Sequence, residues 1–351
     1  MEYGAWPHVK DDLSSVRSRA ATFLDSFPSE NNRESTVWQS WITRWTRLGN
    51  DQFLIGDLSI KRGACQEATG AWLCALTAFE IVRRLADKDG SQREEVSARI
   101  AAGIQKIELS LAQKIERITI GGSDLGEFPA YYVAAGSREV PAPAVICISM
   151  EEESRTALLG RLLPVVLDAG LSLLVVSHDD ISTRSRGHSQ ALLSFCLDYL
   201  SGRPDVDAAR IGVYGEGLSA ALATEFATSD RRLAAAVCDG GLWNLARSLA
   251  SVVWITSTAD QVDEGLASAR RLQVITQLIC PVLVVTGGRG IVSMSEAVKL
   301  QADCMAANID LDLAMPRIIR SSGEHIENFV SSDDCIFGWL KEKLVCTTSA
   351  P

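Results

Sequence analysis

No apolar run in this chain approaches the roughly 20 residues that a helix needs to cross a bilayer, so no membrane span is expected. Clusters of basic residues are missing too. The 34 Lys and Arg are outnumbered by 44 Asp and Glu, and the net charge of −10 is spread along the sequence. Nucleic acid and anionic membrane surfaces both demand clustered cations, so neither is expected as a partner. Met1 to Lys10 contains neither a basic n-region nor an apolar h-region, which argues against an export signal and makes a cytoplasmic location the expectation. Nine cysteines are present, but they stand singly, mostly inside apolar segments, and form no CxxC. That pattern suits small buried hydrophobes better than a disulfide framework. Only four histidines occur, and the nearest pair, His178 and His188, lacks metal-ligand spacing, so no metal is expected. With no GxGxxG and no GxxxxGK[ST], nothing points to a nucleotide, and no cofactor is expected. A small-molecule substrate is the partner that remains, and a homodimer is compatible with the sequence without being specified by it.

What the 351 residues do contain changes character near residue 114. Residues 1–114 show helical periodicity and no convincing strand. In Gly63–Arg84, Ala68, Trp72, Ala75, Leu76, Phe79 and Val82 fall at three- and four-residue steps and so share one helix face. Trp38, Trp41, Ile42 and Trp45 repeat the pattern upstream. These tryptophans read first as the core of a helical bundle. Lining a ligand pocket is the alternative. A further helix is expected over roughly Arg93 to Gln113.

Residues 115–351 alternate short β-rich runs with helical ones. Ala144–Met150, Leu171–His178, Ile211–Gly215, Leu233–Asp239 and Val282–Gly287 are almost continuously apolar, as parallel strands covered on both faces must be. Alternating βα units specify an open, mostly parallel sheet flanked by helices, an α/β fold class. Ile115–Gly122 and Phe128–Ala135 read as an antiparallel hairpin leading into it. Ligands bind such sheets at the carboxyl ends of the strands.

The most informative stretch is Ile211–Ala223, IGVYGEGLSAALA. A strand runs through Gly215-Glu216-Gly217-Leu218-Ser219 straight into a helix, which is the strand–turn–helix setting of a nucleophile elbow, G-x-S-x-G. In that register Gly217 takes the nucleophile's place and Ser219 the second small position. Ser219 lies inside the helix, so its side chain should point away from the elbow.

The segments Leu200–Ala223 (LSGRPDVDAARIGVYGEGLSAALA), Ser321–Leu340 (SSGEHIENFVSSDDCIFGWL) and Gly63–Val82 (GACQEATGAWLCALTAFEIV) resemble the elbow, the histidine segment and the helical cap of one α/β-hydrolase branch. That branch contains 2,6-dihydroxypseudooxynicotine hydrolase and the FrsA-like proteins, and the resemblance runs from about Val37 to Leu344. It implies an α/β-hydrolase core with a helical N-terminal cap, and it places a degenerate catalytic triad. Gly217 stands for the serine, and Gly290, in Gly287-Gly288-Arg289-Gly290, stands for the acid. His325 keeps the histidine, in a loop. An oxyanion hole would use the N–H of Leu218 and that of Met150 or Glu151.

Other polar groups gather at strand ends. Glu216 sits inside the elbow, and Asp239, beside Cys238, is a substitute acid for His325. His178 and Asp179 follow one strand and Cys238 closes another, and all three could line the pocket. The run Glu151-Glu152-Glu153 reads as a solvated acidic helix start. Without a hydroxyl, acyl-enzyme chemistry is closed. The sequence therefore favours general acid–base catalysis by His325, Glu216 or Asp239 on a small carbonyl compound: C–C cleavage, decarboxylation, elimination or cyclisation. The alternatives are a non-catalytic binding protein, or a serine hydrolase whose elbow serine was deliberately exchanged for Gly217.

Overall fold

The structure, a computed structural model, describes residues 12–26, 36–86, 90–110, 114–122, 126–151, 153–167, 169–182, 186–240, 276–285, 294–306, 309–315, 318–321 and 324–345. Contacts divide the chain into two compact units. One comprises Met1–Ala112, Gly160–Pro164 and Ile319–Val330, and the other comprises Gln113–Leu159, Val165–Ile318 and Ser331–Pro351.

The first unit is built on α1 (Leu13–Asp25), α2 (Thr36–Lys61), α3 (Cys65–Leu85) and α4 (Ser91–Ser110). The α1 helix starts where Asp12 accepts a hydrogen bond from the Ser15 N–H at 2.8 Å, satisfying one of the donors a helix N-terminus leaves open. From Ala68 to Leu85, α3 is buried almost all round, Gly70 alone excepted, the pattern of a central helix. Trp38, Trp45 and Trp72 are buried, and the Trp38 indole N–H donates to the Leu85 carbonyl at 3.1 Å. These three tryptophans are therefore core, while Trp41 is half-buried. Between α2 and α3 the contact is unusually close. A Cβ at Gly49 would collide with the Phe79 ring, and one at Gly56 with the Trp72 ring. Two hydrogens spaced seven residues apart on α2 thus make room for two rings spaced seven apart on α3.

The second unit holds an eight-stranded sheet. Its strands are β1 (Ile115–Gly122), β2 (Gly126–Val133), β3 (Ala142–Ile148), β4 (Ser172–Val176), β5 (Val206–Glu216), β6 (Leu233–Asp239), β7 (Val282–Val285) and β8 (Leu311–Ala314). Their order is β1-β2-β4-β3-β5-β6-β7-β8. β1 and β2 form the expected antiparallel hairpin, β2 runs antiparallel to β4, and β3 to β8 are mutually parallel. One sheet face, with Ile146, Val176, Val213 and Val284, packs on α7 (Arg186–Ser201) and α8 (Ser219–Ser229) through Leu193, Leu197, Leu222 and Phe226. The opposite face packs on α10 (Phe329–Val345), where the Tyr214 and Phe337 rings meet edge-on at 6.1 Å. Among the described residues the remaining helices are α5 (Arg155–Val166), the four-residue α6 (His178–Ile181) and α9 (Met294–Ala306).

Strand register sets the level at which the chain leaves the sheet. Ile148 pairs with Val176 on one side and Gly215 on the other, and Glu216 pairs with Asp239. The carboxyl ends of β4, β3, β5 and β6 therefore emerge at one level, side by side. His325 departs from expectation: it lies in a short strand, β10 (Glu324–Glu327), paired with β9 (Ile318–Ser321), rather than in a loop. The pairing of β9 with β10 supplies backbone partners that the Ser-Ser-Gly sequence does not advertise. Downstream, the Asn328 side-chain amide ties this segment to α1, donating to the Ala21 carbonyl at 3.1 Å and to the Asp25 carboxylate at 2.9 Å.

Candidate functional site

The chain passes from β5 into α8 through a tight turn at Gly217 and Leu218. Gly215 must be small, because a Cβ there would collide with the Ser219 carbonyl. Gly217 adopts φ +63°, in the left-handed region, and its N–H donates to the Asp239 carbonyl at 2.8 Å. The turn is thus pinned to the end of β6, and α8 starts two residues later.

A carboxylate lies where a side chain at position 217 would project. Glu151, on the loop after β3, directs its Oε2 to the Leu218 N–H at 3.2 Å. A Cβ built on Gly217 would lie 2.9 Å from the same oxygen and 3.6 Å from the Met150 Cβ. Two sequence expectations are corrected by this contact. Leu218 does not present an open oxyanion-hole donor, because its N–H is engaged by Glu151. Nor is the acidic run simply a solvated helix start: Glu151 turns onto the elbow, Glu153 is buried, and α5 begins only at Arg155. Glu152 lies outside the described residues. The attraction is physical, since the α8 N-terminus carries partial positive charge and unfilled N–H groups.

Beside Glu151 a chain of hydrogen bonds joins three strand ends. The buried His178 Nδ1 lies 2.7 Å from Ser219 Oγ, which donates to the Ser149 carbonyl at 2.6 Å. Ser149 Oγ donates to the Glu153 carbonyl at 2.6 Å and accepts the His178 backbone N–H at 3.1 Å. Burial pushes the His178 imidazole below its usual range, while the Glu151 and Asp179 carboxylates act against that. Ser219 is fully buried with its single proton committed. A fluorophosphonate probe, which labels activated serines, is therefore expected to leave Ser219 unmodified. Intact-protein mass spectrometry would detect stoichiometric addition there, which would show that the elbow is misplaced by two residues.

The remaining candidates scatter. Glu216 is buried, with Oε2 accepting from the Tyr214 hydroxyl at 3.1 Å. Tyr214 and Glu216 are two apart on β5, so both belong to the face covered by α10. Asp239 is buried at the end of β6. Asp179 is exposed on α6, where the first turn of a helix favours carboxylates. Cys238 is not a pocket residue: it is core, 3.2 Å from Thr224 Oγ1, and burial pushes its thiol up to about 12. Gly290 and its neighbours lie outside the described residues, as does the side chain of His325. Among the described residues no group of His, Cys, Asp and Glu could hold a metal ion, and no helix is long and apolar enough to cross a membrane.

Strand order, elbow and flanking helices together define the α/β-hydrolase fold. The chain is similar to the crystal structure of 2,6-dihydroxy-pseudo-oxynicotine hydrolase, with a TM-score of 0.59 and 18% identity over 95% of this chain and 97% of that one. An esterase of Pyrococcus furiosus matches 68% of this chain and 96% of its own length, with a TM-score of 0.50 and 14% identity. No protein-family model matches the sequence, and no curated protein matches it.

Proposed function

We propose that this protein is an α/β-hydrolase-fold enzyme that acts on a small carbonyl compound by proton transfer, without a covalent acyl-enzyme. The observation that carries the reading is the Glu151 carboxylate, 3.2 Å from the Leu218 N–H and lodged where a nucleophile side chain would project from position 217. A carboxylate so placed serves as a general base towards a C–H next to a carbonyl, giving enolisation and elimination. The serine-exchange alternative is less well supported, because a loop carboxylate fills the elbow. A purely binding protein would use the same contact to hold a donor group of its ligand. The structurally similar hydrolase is named for 2,6-dihydroxy-pseudo-oxynicotine, which suits a small organic substrate here.

The test is hydrogen exchange. Wild-type protein incubated in D2O with a panel of β-acyloxy ketones and 1,3-dicarbonyl compounds should accelerate loss of the α-proton signal or form the elimination product, followed by proton NMR. Glu151→Gln keeps the shape and removes the base, and exchange should fall to background. Full exchange by that variant would overturn the proposal. His325 is the second acid–base candidate that the family resemblance supplies, and His325→Ala should lower turnover without changing the circular dichroism spectrum. Unchanged turnover would remove it from the mechanism.

A further inference from the structure

The hydrogen-bond chain around His178 fixes more than a ring orientation. Ser219 owns one hydroxyl proton, and the carbonyl of Ser149 at 2.6 Å can only accept it. The short contact of 2.7 Å between Ser219 Oγ and His178 Nδ1 must then be made by a proton on Nδ1. A neutral imidazole carries one such proton, so Nε2 keeps its lone pair. Ser149, whose own hydroxyl goes to the Glu153 carbonyl, fastens the His178 backbone to the loop that carries Glu151. A buried ring is thus held as a proton acceptor at the strand end next to β3.

We propose that His178 is a proton-transfer residue of the elbow site, its Nε2 receiving the proton that Glu151 takes from the substrate. This rests on the reading of Glu151 as the base. The C–H electron pair stays on the substrate as the enolate or the new double bond, any departing group leaves with the electron pair of its own bond to carbon, and the proton goes to Glu151. It then moves from the Glu151 carboxyl oxygen to Nε2, which restores the carboxylate and creates an imidazolium. Nδ1–H keeps its bond to Ser219 throughout. Two carboxylates act on that imidazolium, Glu151 from the β3 loop and Asp179 from α6 itself, while Ser149 and Ser219 are neutral. From Nε2 the proton passes to the leaving group or to water. Burial favours the neutral ring before the reaction begins.

The experiment has a spectroscopic and a kinetic arm. Nitrogen NMR of protein labelled at its histidines, with His178 assigned by loss of its signals in His178→Gln, should show Nδ1 protonated and Nε2 bare near neutral pH. Ser219→Ala should erase that preference, and Glu151→Gln should move the His178 titration to lower pH. In D2O, His178→Gln should slow α-proton exchange by about 10²-fold or more, the span expected for one positioned acid–base group. Ser219→Ala, which keeps the imidazole and loses its anchor, should slow exchange in the same direction. A proton on Nε2, a His178 titration indifferent to Glu151→Gln, or full exchange by His178→Gln would each overturn the assignment. If Glu151→Gln abolishes exchange while His178→Gln does not, this proposal falls alone. If the wild type itself fails to exchange, the reading of Glu151 falls and takes this one with it.

Discussion

Gly217→Ser is expected to disable this protein rather than restore a serine hydrolase. At position 217 the new Cβ would sit 2.9 Å from Glu151 Oε2. The backbone neighbourhood is already that of an elbow, so the flexible carboxylate gives way. With Glu151 evicted, the proposed base is lost, and α-proton exchange should fall by about 10²–10⁴-fold. An L residue held at φ +63° also costs about 1–2 kcal/mol in folding. Ester hydrolysis should not appear, since the family resemblance puts Gly290, which has no carboxylate, where the acid that orients the histidine would stand. Exchange rates and p-nitrophenyl ester assays on the purified variant check both halves. Burst release of p-nitrophenol with fluorophosphonate labelling at position 217 would mean that a latent serine-hydrolase machinery exists. Adding Gly290→Asp to Gly217→Ser is the stronger form of that trial.

Glu80→Gln should be among the most destabilising single changes in the helical unit. The Glu80 carboxylate is 1% exposed and accepts from Arg83 Nε at 2.7 Å, Arg83 Nη2 at 2.8 Å and Arg84 Nε at 2.7 Å. Burial alone would push this acid up, but the charges of Arg83, Arg84 and Arg161 hold it at about 2. Neutralising the acid leaves buried guanidiniums facing one another, and breaking one side of a buried ion pair costs about 3–5 kcal/mol. At about 2–4 °C per kcal/mol for a protein of this class, the melting temperature should fall on the order of 10 °C. The pH dependence comes from the sign of the shift. The folded state holds this carboxylate ionised more firmly than the unfolded chain does, so its contribution is present above about 4.5 and is lost as pH falls towards 2. Glu80→Gln should therefore flatten the acid limb of the stability curve. Tryptophan fluorescence suits the measurement, since Trp38, Trp45 and Trp72 are buried in the same unit. A melting temperature within about 2 °C of wild type would refute the argument.

The fold was largely legible in the sequence because its strongest signals are local. The parallel strands announce themselves as apolar runs, and the elbow announces itself through Gly215 and Gly217 between a strand and a helix. The tryptophan spacing likewise marks a helical core. The candidate site was only half legible. Glu151 looked like one of three acids in a solvated run, because nothing in a sequence says which way a flexible side chain turns. The contact between His178 and Ser219 joins residues 41 apart. It depends on β3 and α8 sharing a level with the end of β4, a consequence of strand order. Two signals were available: a serine at the second small position of the elbow, and a histidine placed just after an apolar strand. Cys238 misled because proximity to Asp239 in sequence suggested a pocket, whereas alternation along β6 sends its thiol into the core.

The close approach of α2 and α3 bears on how the helical unit folds. Glycine inside a helix costs about 1 kcal/mol relative to alanine, and α2 carries that cost at both Gly49 and Gly56. An isolated α2 peptide would accordingly be a poor helix in water. What offsets the penalty is the seating of Phe79 and Trp72 against those two bare backbone positions, a gain that exists only once α3 is in place. The two helices therefore become stable together, and the rate-limiting step for this unit should include their docking. Kinetically, Gly49→Ala and Gly56→Ala would act in opposite directions on the two stages. Each would favour the lone helix and obstruct the paired one.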